Sequence, residues 1–160
     1  QEGKPGPADG GYPVKYWVAF DRIPTIGRAR FALLGGFFVS LEKAWHAGSA
    51  ELVAAGLDQR SLKVVLSRRP AVSPEAEMER LERLEIDAFT IGDPGYPRLL
   101  REIYEYPPVL YLKGEILPED ERSVTVVGTR KTTAYGREVA HQIAGDLGRV
   151  PGFLRVRLNG

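Results

Sequence analysis

Apolar positions along this chain follow two rhythms, and the change comes near Ile86. Before it the spacing is helical. Tyr16, Trp17, Ala19 and Phe20 recur as a helix's inner face does, and Pro24 ends that segment. Ile26 and Gly27 open a second helix through Leu34, which Gly35 and Gly36 are expected to end. Ser40 is the expected N-cap of a third helix through Trp45, closed by Gly48. Ser49 caps a fourth, short helix ending at Gly56. Asp58 caps a fifth, with Leu62, Val65 and Leu66 on one face, ended by Arg68-Arg69-Pro70. Five short helices with tight links predict a small all-helical domain over residues 15–72. Residues 1–14, rich in glycine and proline, predict a flexible tail. Ser73-Pro74-Glu75 starts a connecting helix over residues 73–86 that carries Met78, Leu81 and Leu84, its glutamates forming the solvated face.

From residue 87 to residue 160 the pattern is that of strands and helices in alternation. Residues 87–91 read as a strand, 92–95 as a turn and 98–103 as a short helix. Val109 to Leu112 reads as a second strand. Residues 123–127 are nearly all β-branched and predict a third, central one. A polar loop then leads into an amphipathic helix from Ala134 to Leu147, with Val139, Ala140, Ile143, Ala144 and Leu147 on one face. Strand, loop and helix in this order open a parallel α/β sheet. The expected class is therefore α+β or α/β, a helical domain followed by a mostly parallel sheet.

Composition narrows the chemistry. The 160 residues are 43% hydrophobic, enough for a folded core. With no cysteine, there are no disulfides, thiolate zinc sites or cysteine nucleophile. Two histidines, His46 and His141, make a histidine metal cluster improbable. No apolar run approaches the ~18 residues of a membrane span. No signal-peptide pattern opens the chain, so a cytoplasmic location is expected. The net charge of +1 hides an uneven distribution. From Arg122 onward seven basic residues face two acidic ones, a net of +5, and the preceding residues hold 15 basic against 19 acidic, a net of −4. A basic last third favours an anionic partner such as phosphate or nucleic acid, although chance in a short stretch accounts for it equally well.

The stretch Val126-Val127-Gly128-Thr129-Arg130-Lys131-Thr132-Thr133-Ala134-Tyr135-Gly136 carries the clearest chemistry. Loops at strand carboxyl ends are the usual ligand sites of open α/β sheets. Gly128 lets a ligand approach the backbone, the helix start offers free amides, and the threonines offer hydroxyls. Arg130 offers a planar fork for a phosphate. These features predict a phosphate site; a plain polar loop with capping threonines stays open beside it. The loop matches neither the P-loop nor the dinucleotide fingerprint. Ile23-Pro24-Thr25-Ile26-Gly27 resembles the turn of a helix-hairpin-helix, whose amides can meet DNA phosphates. Thr25 stands where such turns commonly have glycine, which favours packing or partner contact. Trp17, Phe31 and Trp45 are expected in the core, His46 at the surface or as a helix-end charge partner, His141 in a structural role, and Asp93 with Tyr96 in a turn.

Taken together, I-P-x-I-G, S-L-E-K-A-W, P-E-A-E-x-E-R-L, G-D-P-G-Y-P-R-L-L-R-E-I, P-P-V-L-Y-L-K-G and V-V-G-T-R-K-T-T-A-Y-G resemble the DNA-processing protein A family, also called Smf. The resemblance runs from about Tyr16 to Leu147. It implies a sterile-alpha-motif-like helical domain and an extended Rossmann-like domain. It also implies a protein that binds single-stranded DNA without catalysis, protects it, and passes it to a RecA-type recombinase in natural transformation. The family's glycine-serine-arginine loop carries over to Gly128, Thr129 and Arg130, threonine replacing serine. The candidate nucleic-acid-binding set is Gly128, Thr129, Arg130, Lys131, Tyr135 and Gly136; no catalytic residue, metal or cofactor is expected.

Residues 149–160 depart from the family, which continues with a strand and an S-G-x-A-x-G-I-D loop. The expectation is a chain truncated within the Rossmann-like domain, with the edge of strand 124–127 open and any homodimer weakened. Two other readings are a Rossmann-type nucleotide enzyme such as a phosphoribohydrolase, and a helical interaction module with no DNA function. Against the enzyme, no acid–base pair or nucleophile constellation stands out.

Overall fold

The computed structural model describes residues 13–118, 124–127, 131–149 and 156–159, and the expected tail lies almost wholly outside them. The chain divides into two compact units, Gln1–Gly114 and Glu115–Gly160. The helices of the first unit are α1 (Val14–Asp21), α2 (Arg28–Phe37), α3 (Leu41–His46), α4 (Ser49–Ala54), α5 (Gln59–Arg68), α6 (Pro74–Arg83) and α7 (Arg98–Glu102), with a 3-10 turn at Arg69–Ala71. Its strands are β1 (Ile86–Thr90) and β2 (Val109–Lys113).

Local caps set most helix starts. Ser40 accepts from the Lys43 amide at 3.2 Å, and Ser73 from the Ala76 amide at 3.2 Å. Asp58 accepts from the Ser61 amide and hydroxyl, each at 2.9 Å, and from the Arg30 guanidinium at 2.8 Å. Two expectations change. Helix α2 runs through Gly35 and Gly36 to Phe37, because the break comes only where Phe38 turns extended. Helix α4 is capped by Gly48 rather than Ser49, with the Glu51 carboxylate accepting from the Gly48 amide at 2.9 Å. Gly56, at φ +99, ends α4; its amide and that of Leu57 reach back to the carbonyls of Val53 and Leu52. Arg69 closes the end of α3 by donating to the carbonyls of Trp45 and Ala47, both at 2.8 Å.

The Arg30 guanidinium, with the Ser61 amide and hydroxyl, holds the Asp58 carboxyl well below the usual carboxylate range. A depressed folded-state value stabilises the fold above the unfolded value and is lost as pH falls toward the folded one. Asp58→Asn keeps a capping oxygen and removes the charge. The wild type should melt above this variant at neutral pH, and the gap should close as pH falls below about 4. A gap of unchanged size in strong acid would contradict this role.

Val18, Ala19 and Phe20 are consecutive and all buried, so α1 is covered on more than one side. It packs against α3, α6 and the β1–β2 hairpin. Phe20 meets Trp45 edge-on at 4.9 Å, and Trp17, half-buried, stacks on Phe31 at 5.2 Å. Leu34, Leu52 and Val65 complete this core, which also takes in Ala88 and Val109 of the hairpin. Helix α6 is accordingly more than a connector: Met78 and Leu81 pack on the core, Lys15 pairs with Glu75 at 2.8 Å, and Arg22 with Glu77 at 3.4 Å. The Tyr111 hydroxyl donates to Asp21 at 2.9 Å and ties β2 to the end of α1.

The mostly parallel sheet expected from residue 88 onward is not what forms. β1 and β2 pair antiparallel, from Ile86 opposite Lys113 to Thr90 opposite Val109. The reason lies in the connection. The Thr90 amide and hydroxyl donate to Asp93, the Tyr96 amide to the Asp93 carbonyl, and the Tyr96 hydroxyl to the Pro107 carbonyl at 2.8 Å. Gly95 lies so close to Phe89 that a Cβ there would sit 2.5 Å from the ring. The chain thus folds back beside β1. The G-D-P-G-Y-P motif serves this turn, as expected for Asp93 and Tyr96.

The second unit contains β3 (Val124–Val127), α8 (Ala134–Leu147) and β4 (Val156–Asn159). β3 and β4 are parallel, with Val124 opposite Val156 and Val127 opposite Asn159. Among the described residues this is a single strand–helix–strand unit. Strand β4 pairs along an edge of β3 that was expected to be open, with Val124 opposite Val156 and Val126 opposite Leu158. The apolar stripe of α8 is only half covered: Val139, Ala140, Ala144 and Leu147 are half-buried and Ile143 is exposed. His141 is exposed as well, not packed in a structural role. Among the described residues no helix is long and apolar enough to cross a membrane.

Candidate nucleic-acid interface

Parallel pairing brings the carboxyl ends of β3 and β4, Val127 and Asn159, side by side. The loop that follows Val127 therefore starts at the end of the strand pair, where ligands of α/β units bind. Of the predicted site residues, Gly128, Thr129 and Arg130 lie outside the described residues. Lys131, Tyr135 and Gly136 lie within them and are all exposed, Tyr135 at 78%.

The start of α8 resolves the role of one threonine. Thr133 is its N-cap and accepts from the Gly136 amide at 3.1 Å, while the Arg137 amide donates to the Thr133 carbonyl at 3.1 Å. A Cβ at position 136 would meet Thr133 Oγ1 at 3.4 Å, an ordinary contact, so the cap does not itself require glycine there. The Thr133 oxygen is thereby committed to the helix, while its hydroxyl proton stays free to be donated. No acidic residue lies in the first turn of α8. The unneutralised helix start and the nearby cationic side chains of Lys131 and Arg137 suit an anion. Among the described residues no group of three or more His, Asp or Glu side chains could hold a metal ion.

The hairpin at Ile23-Pro24-Thr25-Ile26-Gly27 is built inward. Ile23 and Ile26 are buried, and the Ile26 amide donates to the Ile23 carbonyl at 2.9 Å. Gly27 starts α2 with extended backbone and has open space where a Cβ would stand. His46 is exposed at the end of α3 and meets the Tyr16 ring edge-on at 5.9 Å.

One concentration of aromatic and cationic groups escaped the sequence reading. The Arg28 guanidinium carbon lies 4.9 Å from the centroid of the Tyr104 ring and 5.6 Å from that of Tyr106. Arg101 lies 5.8 Å from the Tyr96 ring centroid and donates to the Asp93 carbonyl. The available signal was the Y-E-Y triplet after a short arginine-bearing helix, but nothing in the sequence pairs it with Arg28.

Residues 87–151 match the family described as DNA recombination-mediator protein A. Protein Smf of Synechocystis is 30% identical over 134 residues, 81% of this chain and 34% of that protein. DNA processing protein DprA of Bacillus subtilis is 37% identical over 65 residues, 40% of this chain and 22% of that protein. The chain thus spans about a third or less of the length of these curated relatives. No solved structure matches. Over its segment 87–151, this chain is similar to the DNA recombination-mediator protein A family.

Proposed function

We propose that this chain acts in DNA processing as a single-stranded DNA-binding protein, protecting the strand and passing it to a RecA-type recombinase during DNA uptake, without catalysing a reaction. The observation that carries this reading is the basic strand–loop–helix of β3 and α8, which falls inside the family-matched segment. On this reading Gly128, Thr129 and Arg130 take backbone phosphates at the strand end. Lys131 adds charge, and the exposed Tyr135 ring offers a face to a base. Gly136 donates its amide to the Thr133 cap beside them. The reading includes a sterile-alpha-motif-like domain over residues 15–72, a Rossmann-like setting for the strand–helix–strand unit, a homodimer and a cytoplasmic location.

The test is a titration of a fluorescent oligothymidylate with the full chain, repeated in the presence of a nucleoside monophosphate. Saturable binding that an excess of mononucleotide does not displace is the expected result. Efficient displacement by the mononucleotide would favour a nucleotide-binding enzyme instead. Absence of binding at low salt would overturn the reading.

A further inference from the structure

Arg28 and Tyr104 come from segments far apart in sequence, the start of α2 and the stretch after α7, yet meet within cation–π range. Tyr106 flanks the same guanidinium. Tyr104 itself is 82% exposed, whereas Arg28 and Tyr106 are half-buried. A planar guanidinium held by two rings braces Tyr104 while leaving most of its surface in water. The surroundings are aromatic and carry charges of both signs, with Glu105 between the two tyrosines in the chain. Helix α2 begins with no acidic residue in its first turn and no side-chain cap. Arg98 and Arg101 lie on the adjacent α7, and Glu102 is paired with Arg98 at 2.8 Å.

We propose that Tyr104, braced by Arg28 and Tyr106, is a stacking platform for a base of single-stranded DNA, an addition that rests on the DNA-binding reading and lies in the other unit from its phosphate loop. The chemistry favours this occupant. A single strand offers both an unpaired planar base for the ring and phosphates for the arginines. An aliphatic protein surface would offer no anion to the guanidinium groups of Arg28 and Arg101, and an acidic peptide would leave the ring without a planar partner.

The experiment compares wild type, Tyr104→Ala, Tyr104→Trp and Arg130→Ala with a labelled oligothymidylate and with an abasic strand of equal length. Tyr104→Ala should weaken binding to the base-bearing strand by about five- to a hundred-fold. It should leave abasic binding and the melting temperature unchanged, and Tyr104→Trp should bind as wild type does. Loss of affinity for both strands alike would overturn stacking. Wild-type affinity in Tyr104→Ala, with Arg130→Ala weakened, would overturn the platform and leave the phosphate loop standing. No binding by the wild type would overturn both.

Discussion

Phe20→Ala is expected to destabilise the first unit by about 3–5 kcal/mol, the range for removing a buried phenylalanine. Phe20 is fully buried in α1, with its ring edge-on to Trp45 at 4.9 Å and to Phe31 at 6.4 Å. Its removal takes away apolar burial and two aromatic contacts and leaves a cavity among α1, α2 and α3. Domains of this size hold only about 5–15 kcal/mol in total, so the variant should be partly unfolded near body temperature. Urea denaturation followed by tryptophan fluorescence measures the loss, since Trp17 and Trp45 both lie in this unit. Phe37→Ala is the matched control. Phe37 is 52% exposed, and its loss should cost little. A Phe20→Ala loss under about 1 kcal/mol would mean that the core relaxes around the gap or lies elsewhere.

Arg130→Ala is expected to weaken single-stranded DNA binding by roughly ten- to a hundred-fold. A charge-assisted hydrogen bond contributes about 1.5–3 kcal/mol, and about 1.4 kcal/mol is a factor of ten. Arg130 lies outside the described residues, so the expectation rests on its neighbours: the paired strand ends at Val127 and Asn159 and the acid-free start of α8. The loss should be similar for strands of different base sequence, because phosphate contacts position a strand without specifying it. A Tyr104 effect would instead require bases, which separates the two contributions.

What was legible in the sequence was what is decided locally. Ser40, Asp58 and Ser73 cap the helices they were expected to cap, and α8 spans Ala134 to Leu147 as read. Each such decision needs only a side chain within three residues of the amide it satisfies, or one turn of apolar spacing. Strand pairing was not legible. The direction of β2 is set by bonds from Thr90 to Asp93 and from Tyr96 to Pro107, which reverse the chain where an alternating strand–helix pattern suggested a crossover. β4 was not legible because only the short alternation Val156-Arg157-Leu158 marks it, within a segment that departs from the family's pattern. Gly35 and Gly36 misled because glycine permits a helix to end without requiring it. At the candidate site, the commitment of Thr133 to the α8 cap was one of two open readings of the loop. The Arg28–Tyr104 contact joins positions that no local pattern connects.

The central claim is that the loop after β3 binds the backbone of single-stranded DNA. Fluorescence anisotropy of a labelled oligonucleotide, with wild type and Arg130→Ala side by side at two salt concentrations, tests it most directly. The wild type should bind more weakly at higher salt, with a log–log slope of about −0.7 per phosphate contacted. Arg130→Ala should bind more weakly at both salts, with a slope shallower by about one such contact. Superimposable isotherms for the two proteins at both salts would contradict the claim and move the search to Arg149, Arg155 and Arg157.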